Sequence, residues 1–387
     1  MLEKLIVRPV SVDDLDQLEV LANSASHGLT SLPKNKELLQ LKIDKSIESF
    51  SKYILVPKDE LYFFVCEDII TKKIVGTTAI ESSVGGSVPF YSFEKVNYLQ
   101  KSGKIRANNL CLEVSSYMDC VSELCTLFVH PDYRKGGVGR FLSLVRFLFI
   151  AQNRHRFKKV IITEFRGVSY ENGKCPFWDY VMYPFFKMSF SQADTLSAIS
   201  KEFVKQLAPK HPIYIKLLPQ FIHNILGKVH ASSIGAEKIL TMEGFIRTPY
   251  IDLFDAGPKY EARVKSIKAV NRVGGCKKIQ VSDKVKNHNH YILNTGKLLD
   301  FRACCIPTKV GPETDKIFVY PTKSLDQVLN QGKINRYLKV TPAIKMEKKE
   351  EASMLDIRGL RNEKQFTEVF SKWHDKLYKS NKRRIIS

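Results

Sequence analysis

The sequence predicts an α/β fold of the mixed α+β kind, with a large N-terminal domain and a smaller β-rich region near the C-terminus. Three observations support this prediction. Strand-like and helix-like apolar patterns alternate over residues 1–260, a glycine-rich turn joins an apolar strand to an apolar helix at residues 131–139, and short β-rich runs fill residues 261–345. With 387 residues, 44% of them hydrophobic, the chain is long enough for two domains and apolar enough for a folded core.

The first elements follow from apolar spacing and capping residues. Residues 5–10, LIVRPV, predict a short strand, and Ser11 with Asp14 three positions later is typical of a helix N-terminus. Apolar residues every three or four positions predict a helix after this cap and a second helix over residues 37–50.

A β-hairpin and a long loop are expected next. The apolar runs at residues 62–67 and 74–82 predict the hairpin, whereas residues 83–115, rich in Gly, Ser, Tyr and Asn, predict a loop over the core. ELCTLFVH, at residues 123–130, predicts a further strand.

The turn after this strand is the most informative motif. PDYRKGGVG, at residues 131–139, precedes a strongly apolar helix and contains R-x-x-G-x-G in Arg134, Gly137 and Gly139. The free N–H groups of a first helical turn attract anions, and glycine lets an anion approach closely. The spacing differs from those of the Walker and dinucleotide-binding loops. An ordinary tight turn is the alternative.

The remaining elements up to residue 260 complete a recognisable order. Residues 159–168 predict a strand, residues 169–230 form an insertion rich in aromatics and proline, and AEKILTMEGF at residues 236–245 predicts a late helix. The order strand, two helices, three strands, R-x-x-G-x-G, helix and strand resembles the GNAT superfamily of acyl-CoA N-acyltransferases. That resemblance implies a GNAT-like fold with a long insertion, whose phosphate loop binds the CoA pyrophosphate through Arg134, Gly137 and Gly139.

Eight segments give a closer resemblance, to the bacterial arginine N-succinyltransferase family, over about residues 5–345. They are HGLTSLP (27–33), SELCTLFVHPDYRKGGVGRFLS (122–143), FRGV (165–168), PFW (176–178), FSQAD (190–194), PKHPIY (209–214), GKVH (227–230) and EGFIRTPYIDLFDAGP (243–258). The resemblance implies succinyl-CoA as donor and the α-amine of L-arginine as acceptor, in the first step of arginine catabolism by the succinyltransferase route.

The same resemblance implies two further site residues. The succinyl-CoA contact falls on Leu127, where a free backbone N–H of Leu127 or Phe128 would stabilise the oxyanion, and the proton-donor histidine falls on His230. Two departures from the family and superfamily patterns affect the histidine. Ala231 replaces the proline that usually follows it, and Leu240 stands where many GNAT enzymes have a proton-donating tyrosine. A different acid is therefore required, and histidine titrates in the useful range.

Carboxylates are expected to bind the guanidinium group of the acceptor, because a planar cation favours bidentate acids. Four are candidates by sequence location and are not ranked: Glu81, Glu123, Glu164 and Asp194.

Charge is concentrated in the last third of the chain. The net charge is +21, and residues 261–387 hold 28 Lys and Arg against 13 Asp and Glu. We expect an acyltransferase domain over residues 1–260, a small β-rich subdomain over 261–345 and a basic extension over 346–387 with a helix at 363–378. The basic region suggests affinity for polyanions, but no interleaving of basic and aromatic residues points to nucleic acid.

Other features indicate a cytoplasmic protein without a metal. No apolar run reaches the ~18 residues of a membrane span, and the longest, residues 147–151, is bounded by Arg146 and Arg154. The start, MLEKLIVRPV, lacks the apolar stretch of a signal peptide. The eight cysteines contain no C-x-x-C pair, so we expect reduced thiols and no metal site.

Two alternatives to the arginine reaction stay open. The same fold could act on ornithine or another amine, or the chain could be a non-catalytic acyl-CoA fold with a polyanion-binding C-terminal region. Assembly into a homo-oligomer is also open.

Overall fold

A computed structural model describes residues 1–25, 29, 31–86, 89–102, 105–117, 121–170, 173–275, 278–285, 288–310, 316–330 and 332–340. In this part of the chain, one mixed sheet is flanked by helices on both faces. The strands are β1 (Leu5–Pro9), β2 (Leu61–Asp68), β3 (Lys73–Val84), β4 (Phe90–Ser102), β5 (Ile105–Tyr117), β6 (Val121–Val129), β7 (Val160–Glu164), β8 (Ile213–Tyr214), β9 (Ile246–Ile251), β10 (Pro258–Arg263), β11 (Gly274–Gly275), β12 (Lys278–Val281), β13 (His290–Thr295), β14 (Arg302–Val310), β15 (Lys316–Val319) and β16 (Ile334–Lys339).

The helices alternate with these strands and are concentrated before residue 250. They are α1 (Leu15–Asn23), α2 (Lys36–Ser51), α3 (Val138–Gln152), α4 (Tyr183–Phe186), α5 (Phe190–Ile199), α6 (Glu202–Leu207), α7 (Gln220–Ile225), α8 (Ile234–Met242), α9 (Lys268–Asn271) and α10 (Lys323–Leu329). Short 3₁₀ turns and one π turn connect several of them. None of the helices described is both long and apolar enough to cross a membrane.

The sheet opens near its middle. The strand order is β11-β16-β13-β14-β1-β2-β3-β6-β7-β10-β9-β4-β5-β8, with β12 and β15 as a branch on β14. The parallel ladder between β6 and β7 contains only Ser122↔Ile161 and Glu123↔Ile162. Beyond it, β7 continues to pair with β10. The two halves of the sheet therefore diverge after Glu123.

Two helical layers explain the alternation of side chains along β2. Leu61, Phe63 and Val65 belong to the apolar cluster that includes α1 and α2. Tyr62 and Phe64 point to the other face, where they join the cluster around α3. Because every side chain in β2 from Leu61 to Cys66 is buried, this strand reads as one continuous apolar run.

Most of the expected elements are confirmed, and the α/β fold class with them. The capping box at Ser11 and Asp14 is present, although the turn it caps is 3₁₀ before α1 begins. The predicted hairpin is β2 with β3, and the strand, glycine-rich turn and helix are β6, residues 131–137 and α3.

The loop predicted over residues 83–115 is wrong. β4 and β5 form a long hairpin paired from Phe90↔Tyr117 to Ser102↔Ile105. Its outer half carries polar residues on both faces, so the sequence lacks the alternation of a half-buried strand. Neighbours that are remote in the sequence hold its inner half, since β4 pairs with β9 and β5 with β8.

The insertion at residues 169–230 is mostly helical and has its own apolar core. Trp178 is fully buried, donates from Nε1 to the Met188 carbonyl at 2.9 Å and stacks on Phe254 with ring centroids 5.4 Å apart. Phe177, Met182 and Phe190 pack in the same cluster. Its aromatic residues are therefore mainly packing residues.

The β-rich runs predicted after residue 261 are strands β12 to β16. β14 pairs with β1, Ile6 opposite Cys304, so these strands are continuous with the main sheet. The division at residue 260 stays a prediction. Residues 341–387, with the helix predicted at 363–378, lie outside the described residues.

Candidate functional site

A cleft of ≈ 1300 Å³ lies where β6 and β7 diverge. Its lining comes from β6, the first turn of α3, α8 and the insertion. Of the residues singled out in the sequence, Leu127, Arg134, Gly137, Gly139 and Leu240 line it. The divergent strands therefore form a site shared by distant segments of the chain.

One end of the cleft is the N-terminus of α3. Gly137 is its N-cap residue, with φ of +85°, a left-handed conformation that favours glycine. A Cβ on Gly139 would meet only Val129 Cγ2, at 3.8 Å, which is ordinary van der Waals contact. Packing within the chain therefore does not require glycine at position 139. The exposed turn leaves room for a ligand there.

Arg134 supplies positive charge beside this helix start. Its Nε donates to the Val129 carbonyl at 3.1 Å, and its guanidinium lies 5.6 Å from the centre of the Phe128 ring. These contacts fix the side chain against the end of β6 while it stays exposed at the cleft. The turn and Arg134 together suit a phosphate group.

A β-bulge interrupts β6 between its two ends. Thr77 pairs with Phe128 and Ala79 with Cys125, so Thr126 and Leu127 both oppose one residue of β3. Thr126 has φ of +55°, which is strained for a β-branched residue. Leu127 has no register partner in β3 or β7 and lines the cleft.

Hydrogen bonds hold the bulge in place. The Thr126 N–H donates to Ser31 Oγ at 3.1 Å, and its hydroxyl donates to the Ser31 carbonyl at 3.2 Å. The Thr77 hydroxyl donates to the Thr126 carbonyl at 2.9 Å. Because both polar groups of the Thr126 backbone are bound within the chain, the adjacent Leu127 faces the cleft in a fixed orientation.

Carboxylates are grouped at the other end of the cleft, where Lys201 also lines it. All four carboxylates proposed from the sequence line it: Glu81, Glu123, Glu164 and Asp194. Glu81 and Glu123 are directly opposite each other on β3 and β6, an arrangement that is destabilising for like charges. Within the described chain, neither forms an ion pair with a lysine or arginine.

Burial raises the pKa values of two of these groups. The pKa of Glu123 is well above its usual value, because burial and the neighbouring Glu164 and Glu81 disfavour its ionised form. Burial also raises the pKa of Glu164, against the effect of Lys259, whose Nζ lies 2.7 Å from Glu164 Oε1. Lys201 and Lys259 offset part of this crowding of negative charge at Glu123, and a cationic ligand would offset more of it.

His230 lies beside the cleft rather than in its lining. Its Nδ1 accepts the Ser232 N–H at 3.2 Å and lies 2.7 Å from Ser232 Oγ, so the ring caps the turn that leads into α8. The backbone N–H of His230 donates to the Arg166 carbonyl at 2.7 Å. Burial and the charge of Arg166 lower the pKa of His230 to about 4. Arg166, Ser232 and Ser233 line the cleft next to it.

A buried arginine in the lining was not singled out as a site residue. Arg146, on α3, is 1% exposed and lines the cleft, although the sequence shows it only as a break in an apolar run. The sequence feature that could have identified Arg146 is a positive charge inside an apolar helix, since such a cation needs an anionic or polar partner.

The cysteines and potential metal ligands are dispersed. Six cysteines within the described ranges are free thiols, and all but Cys125 are buried. In the same ranges, no three His, Cys, Asp or Glu side chains are grouped as a metal ion would require. A metal-free site stays a prediction.

Comparison with known proteins places these features in one family. Residues 5–269 match the family model of the arginine N-succinyltransferase beta subunit. An arginine N-succinyltransferase of Yersinia enterocolitica is 36% identical over 312 residues, 79% of this chain and 90% of the relative. One from Photorhabdus laumondii is 39% identical over 269 residues, 69% of this chain and 78% of the relative.

A solved structure extends the similarity to three dimensions. The structure of arginine/ornithine succinyltransferase subunit AI from Pseudomonas aeruginosa superposes with a TM-score of 0.78 and 31% identity. The match covers 88% of this chain and 99% of that one.

Proposed function

The chain belongs to the arginine N-succinyltransferase family, and on that premise we propose that it transfers the succinyl group of succinyl-CoA to the α-amine of L-arginine. Family membership makes it an acyltransferase that uses an acyl-CoA donor, and a role in arginine catabolism follows from the family. The observation that supports the proposal best is the opposite chemistry of the two ends of one cleft.

The donor end fits an acyl-CoA. Arg134 and the first N–H groups of α3, from Gly137 to Gly139, would bind the pyrophosphate, and the open space at Gly139 permits its approach. The pantetheine arm would then lie along the divergent edge of β6, toward Leu127. The position of Leu127 at the bulge in β6 supports this residue as the contact for the thioester carbonyl.

The acceptor end fits arginine. Glu81, Glu123 and Glu164 would bind the guanidinium group, whose planar N–H donors match carboxylates in a bidentate way. Glu123 and Leu127 are four residues apart on β6, which is at most roughly 13 Å, because the bulge at Thr126 shortens the strand. That spacing leaves room for the arginine side chain between a bound guanidinium and an α-amine at the thioester.

The reaction forms one bond and breaks another. The unprotonated α-amine attacks the thioester carbon, the carbonyl oxygen gains negative charge, and a fixed backbone N–H at Leu127 would stabilise it. The intermediate then releases CoA as its C–S bond breaks, and the proton lost by the amine nitrogen passes to the departing thiolate. The family resemblance assigns the transfer of that proton to His230, and this role stays a prediction. In the conformation described, the ring caps the turn that leads into α8 and is neutral at pH 7 because its pKa is about 4, so it would accept the amine proton before it donates to the thiolate.

Ornithine is the second candidate acceptor. The solved relative is described as an arginine/ornithine succinyltransferase, and an ammonium group could also bind the three carboxylates. An acidic cluster by itself does not separate the two side chains.

Donor and acceptor panels test the proposal. CoA release would be measured with succinyl-CoA or acetyl-CoA against L-arginine, L-ornithine and L-citrulline, which is neutral but similar in shape to arginine. We expect turnover with succinyl-CoA and arginine and little with citrulline. Robust turnover with acetyl-CoA but none with succinyl-CoA would contradict the proposal.

A variant tests the acceptor end separately. Glu123→Gln should raise the KM for arginine by roughly tenfold or more, because a charged hydrogen bond is lost, and should leave the KM for the donor unchanged. Glu60→Gln is the matched control, since Glu60 is buried outside the cleft and bonded to Ser82. An equal change in both variants would remove the assignment of Glu123.

A further inference from the structure

Arg146 is held deep in the protein with few partners. Its side chain lies in the third turn of α3 and is 1% exposed. Its Nε donates to the Ser143 carbonyl at 3.3 Å and its Nη2 to Ser143 Oγ at 3.0 Å. Both contacts come from one residue of the same helix. Within the described residues Nη1 has no hydrogen-bond partner, and the Arg146 side chain lines the cleft.

No acidic side chain balances this charge within the described residues. Among the described residues, no Asp or Glu forms an ion pair with Arg146 within 4.0 Å, and Glu164 of the cleft is paired with Lys259 instead. Burial lowers the pKa of Arg146 to about 10, which still leaves it charged at neutral pH. A buried cation of this kind is costly unless an anion reaches it.

The phosphates of the donor are too far away to be that anion. Arg146 is seven residues beyond Gly139 on the same helix, about 10 Å along its axis. α3 packs against β6, and Cys125, next to the bulge in β6, lines the cleft together with Arg146. Arg146 therefore lies at the level of the acyl group rather than of the pyrophosphate.

The other cations of this part of the cleft have contacts of their own. Lys42 donates to the Ser31 carbonyl at 2.7 Å, and Arg166 donates to Ser169 Oγ at 2.8 Å. Lys201 lies 4.5 Å from the centre of the Phe90 ring. Arg146 is distinguished from these three by its nearly complete burial.

We propose that Arg146 binds the terminal carboxylate of the succinyl group and thereby makes the enzyme prefer dicarboxylic acyl-CoA donors. This inference rests on the proposed function, because only a donor with a carboxylate on its acyl chain brings an anion to this depth. A guanidinium group held by Ser143 would present its remaining N–H groups as a fixed fork to that carboxylate.

The test compares succinyl-CoA with butyryl-CoA, which has the same chain length but a methyl group in place of the carboxylate. Arg146→Met removes the charge with little change in volume. We expect the ratio of kcat/KM for succinyl-CoA over butyryl-CoA to fall by at least ~100-fold, because the buried carboxylate of the succinyl group then has no cationic partner. Turnover with butyryl-CoA should stay the same or increase.

Arg156→Met is the matched control. Arg156 is also buried, at 3% exposure, but it donates to Tyr62 and to the Ser49 and Lys52 carbonyls and does not line the cleft. Its loss should lower stability and leave the donor ratio unchanged. If Arg146→Met fails to fold, Arg146→Gln keeps N–H donors for Ser143 and should give the same fall in ratio.

Donor affinity without acceptor separates this inference from the proposed function. Calorimetry on the wild-type protein should show tighter binding of succinyl-CoA than of butyryl-CoA, and the difference should disappear in Arg146→Met. If donor binding changes in this way but arginine is not succinylated, the assignment of arginine as acceptor is wrong and the role of Arg146 in donor binding is supported. An unchanged ratio in Arg146→Met, with wild-type activity on arginine, would overturn Arg146 and leave the function intact.

Discussion

Gly137 and Gly139 stand two residues apart in the turn before α3, but they are glycine for different physical reasons. Gly137 has φ of +85°, so any side chain there strains the backbone whether or not a ligand binds. Gly139 has no such constraint, and the space beside it is open. A substitution at Gly139 therefore tests ligand binding without straining the backbone, whereas one at Gly137 does not.

Gly139→Ala tests phosphate binding at the level of one methyl group. The Cβ would contact only Val129 within the protein, so we expect an unchanged melting temperature. The KM for the acyl-CoA should rise by roughly tenfold, because the methyl group blocks close approach of the pyrophosphate to the helix N-terminus. Unchanged donor affinity would mean that the loop is only a turn.

The lowered pKa of His230 predicts that the stability of the folded protein depends on pH. Its folded pKa of about 4 lies below the usual 6.5, so the unfolded chain takes up the proton first as the pH falls. The neutral ring contributes at most ~3 kcal/mol to the free energy of unfolding. This contribution is complete above pH 6.5 and is lost as the pH falls toward 4. His230→Asn, which keeps an oxygen to cap the Ser232 N–H, should flatten the melting temperature over this pH range.

The same variant tests the catalytic role of His230. If the imidazole donates the proton, His230→Asn and His230→Ala should both lower kcat by ~10²–10⁴ with normal donor binding. If the ring only caps α8, His230→Asn should keep near-normal kcat and only His230→Ala should lose stability. Near-normal turnover in folded His230→Asn would contradict the proton-donor role.

At the scale of elements, the sequence predicts best where an apolar run or a regular apolar spacing marks a buried strand or helix. The helices α1 to α3, the strands β1, β2, β3 and β6, and the glycine-rich turn were all predicted. The β4–β5 hairpin was not, because its polar outer half is held by backbone pairing within the hairpin and its inner half by β8 and β9, which lie far along the chain.

The functional site was predictable in part for similar reasons. The four carboxylates and the R-x-x-G-x-G turn follow from residue type and position. The bulge at Thr126 does not, since ELCTLFVH reads as an unbroken strand and the positive φ depends on Ser31, almost a hundred residues away. The role inferred for Arg146 also needs the fold, because only the fold shows which way a buried arginine faces.

Two loops meet at Asp255, which lines the cleft, and their close packing gives a prediction for an element. The Gly167 and Gly257 N–H groups both donate to the buried Asp255 carboxylate, at 2.7 and 2.8 Å. A Cβ on Gly167 would overlap the Asp255 carbonyl oxygen. Gly167→Ala should therefore cost roughly 2–3 kcal/mol of unfolding free energy, as backbone overpacking does.

Gly235→Ala is the control for that substitution, with thermal unfolding as the measurement. A Cβ at Gly235, in α8, meets nothing within 4 Å, and alanine favours a helix. The melting temperature should fall in Gly167→Ala and stay the same or rise in Gly235→Ala. Equal stability of both variants would show that the close packing of the two loops can relax.

At the scale of the whole molecule, the net charge of +21 contrasts with the acidic acceptor end of the cleft. Most of the excess lies in the last third of the chain, whereas the cleft is built from residues before 260. A basic surface attracts anionic CoA donors over a distance, while three local carboxylates select a cationic acceptor. The charge of the whole chain therefore does not by itself require a polyanion partner.

Deletion of residues 346–387 tests whether the basic extension contributes to the enzyme. Every apolar cluster of the described chain is complete by Val340, and the match to the family model ends at residue 269. We therefore expect the truncated protein to keep its melting temperature and its kcat/KM for succinyl-CoA and arginine within about twofold. Deletion from residue 334 onward is the contrasting variant, because it removes β16 with its buried Ile334 and Leu338 and should destabilise the sheet.

Heparin or DNA binding that disappears with residues 346–387, without loss of turnover, would assign polyanion affinity to the extension alone. Loss of turnover in a folded truncated protein would show instead that the extension completes the site or a subunit interface.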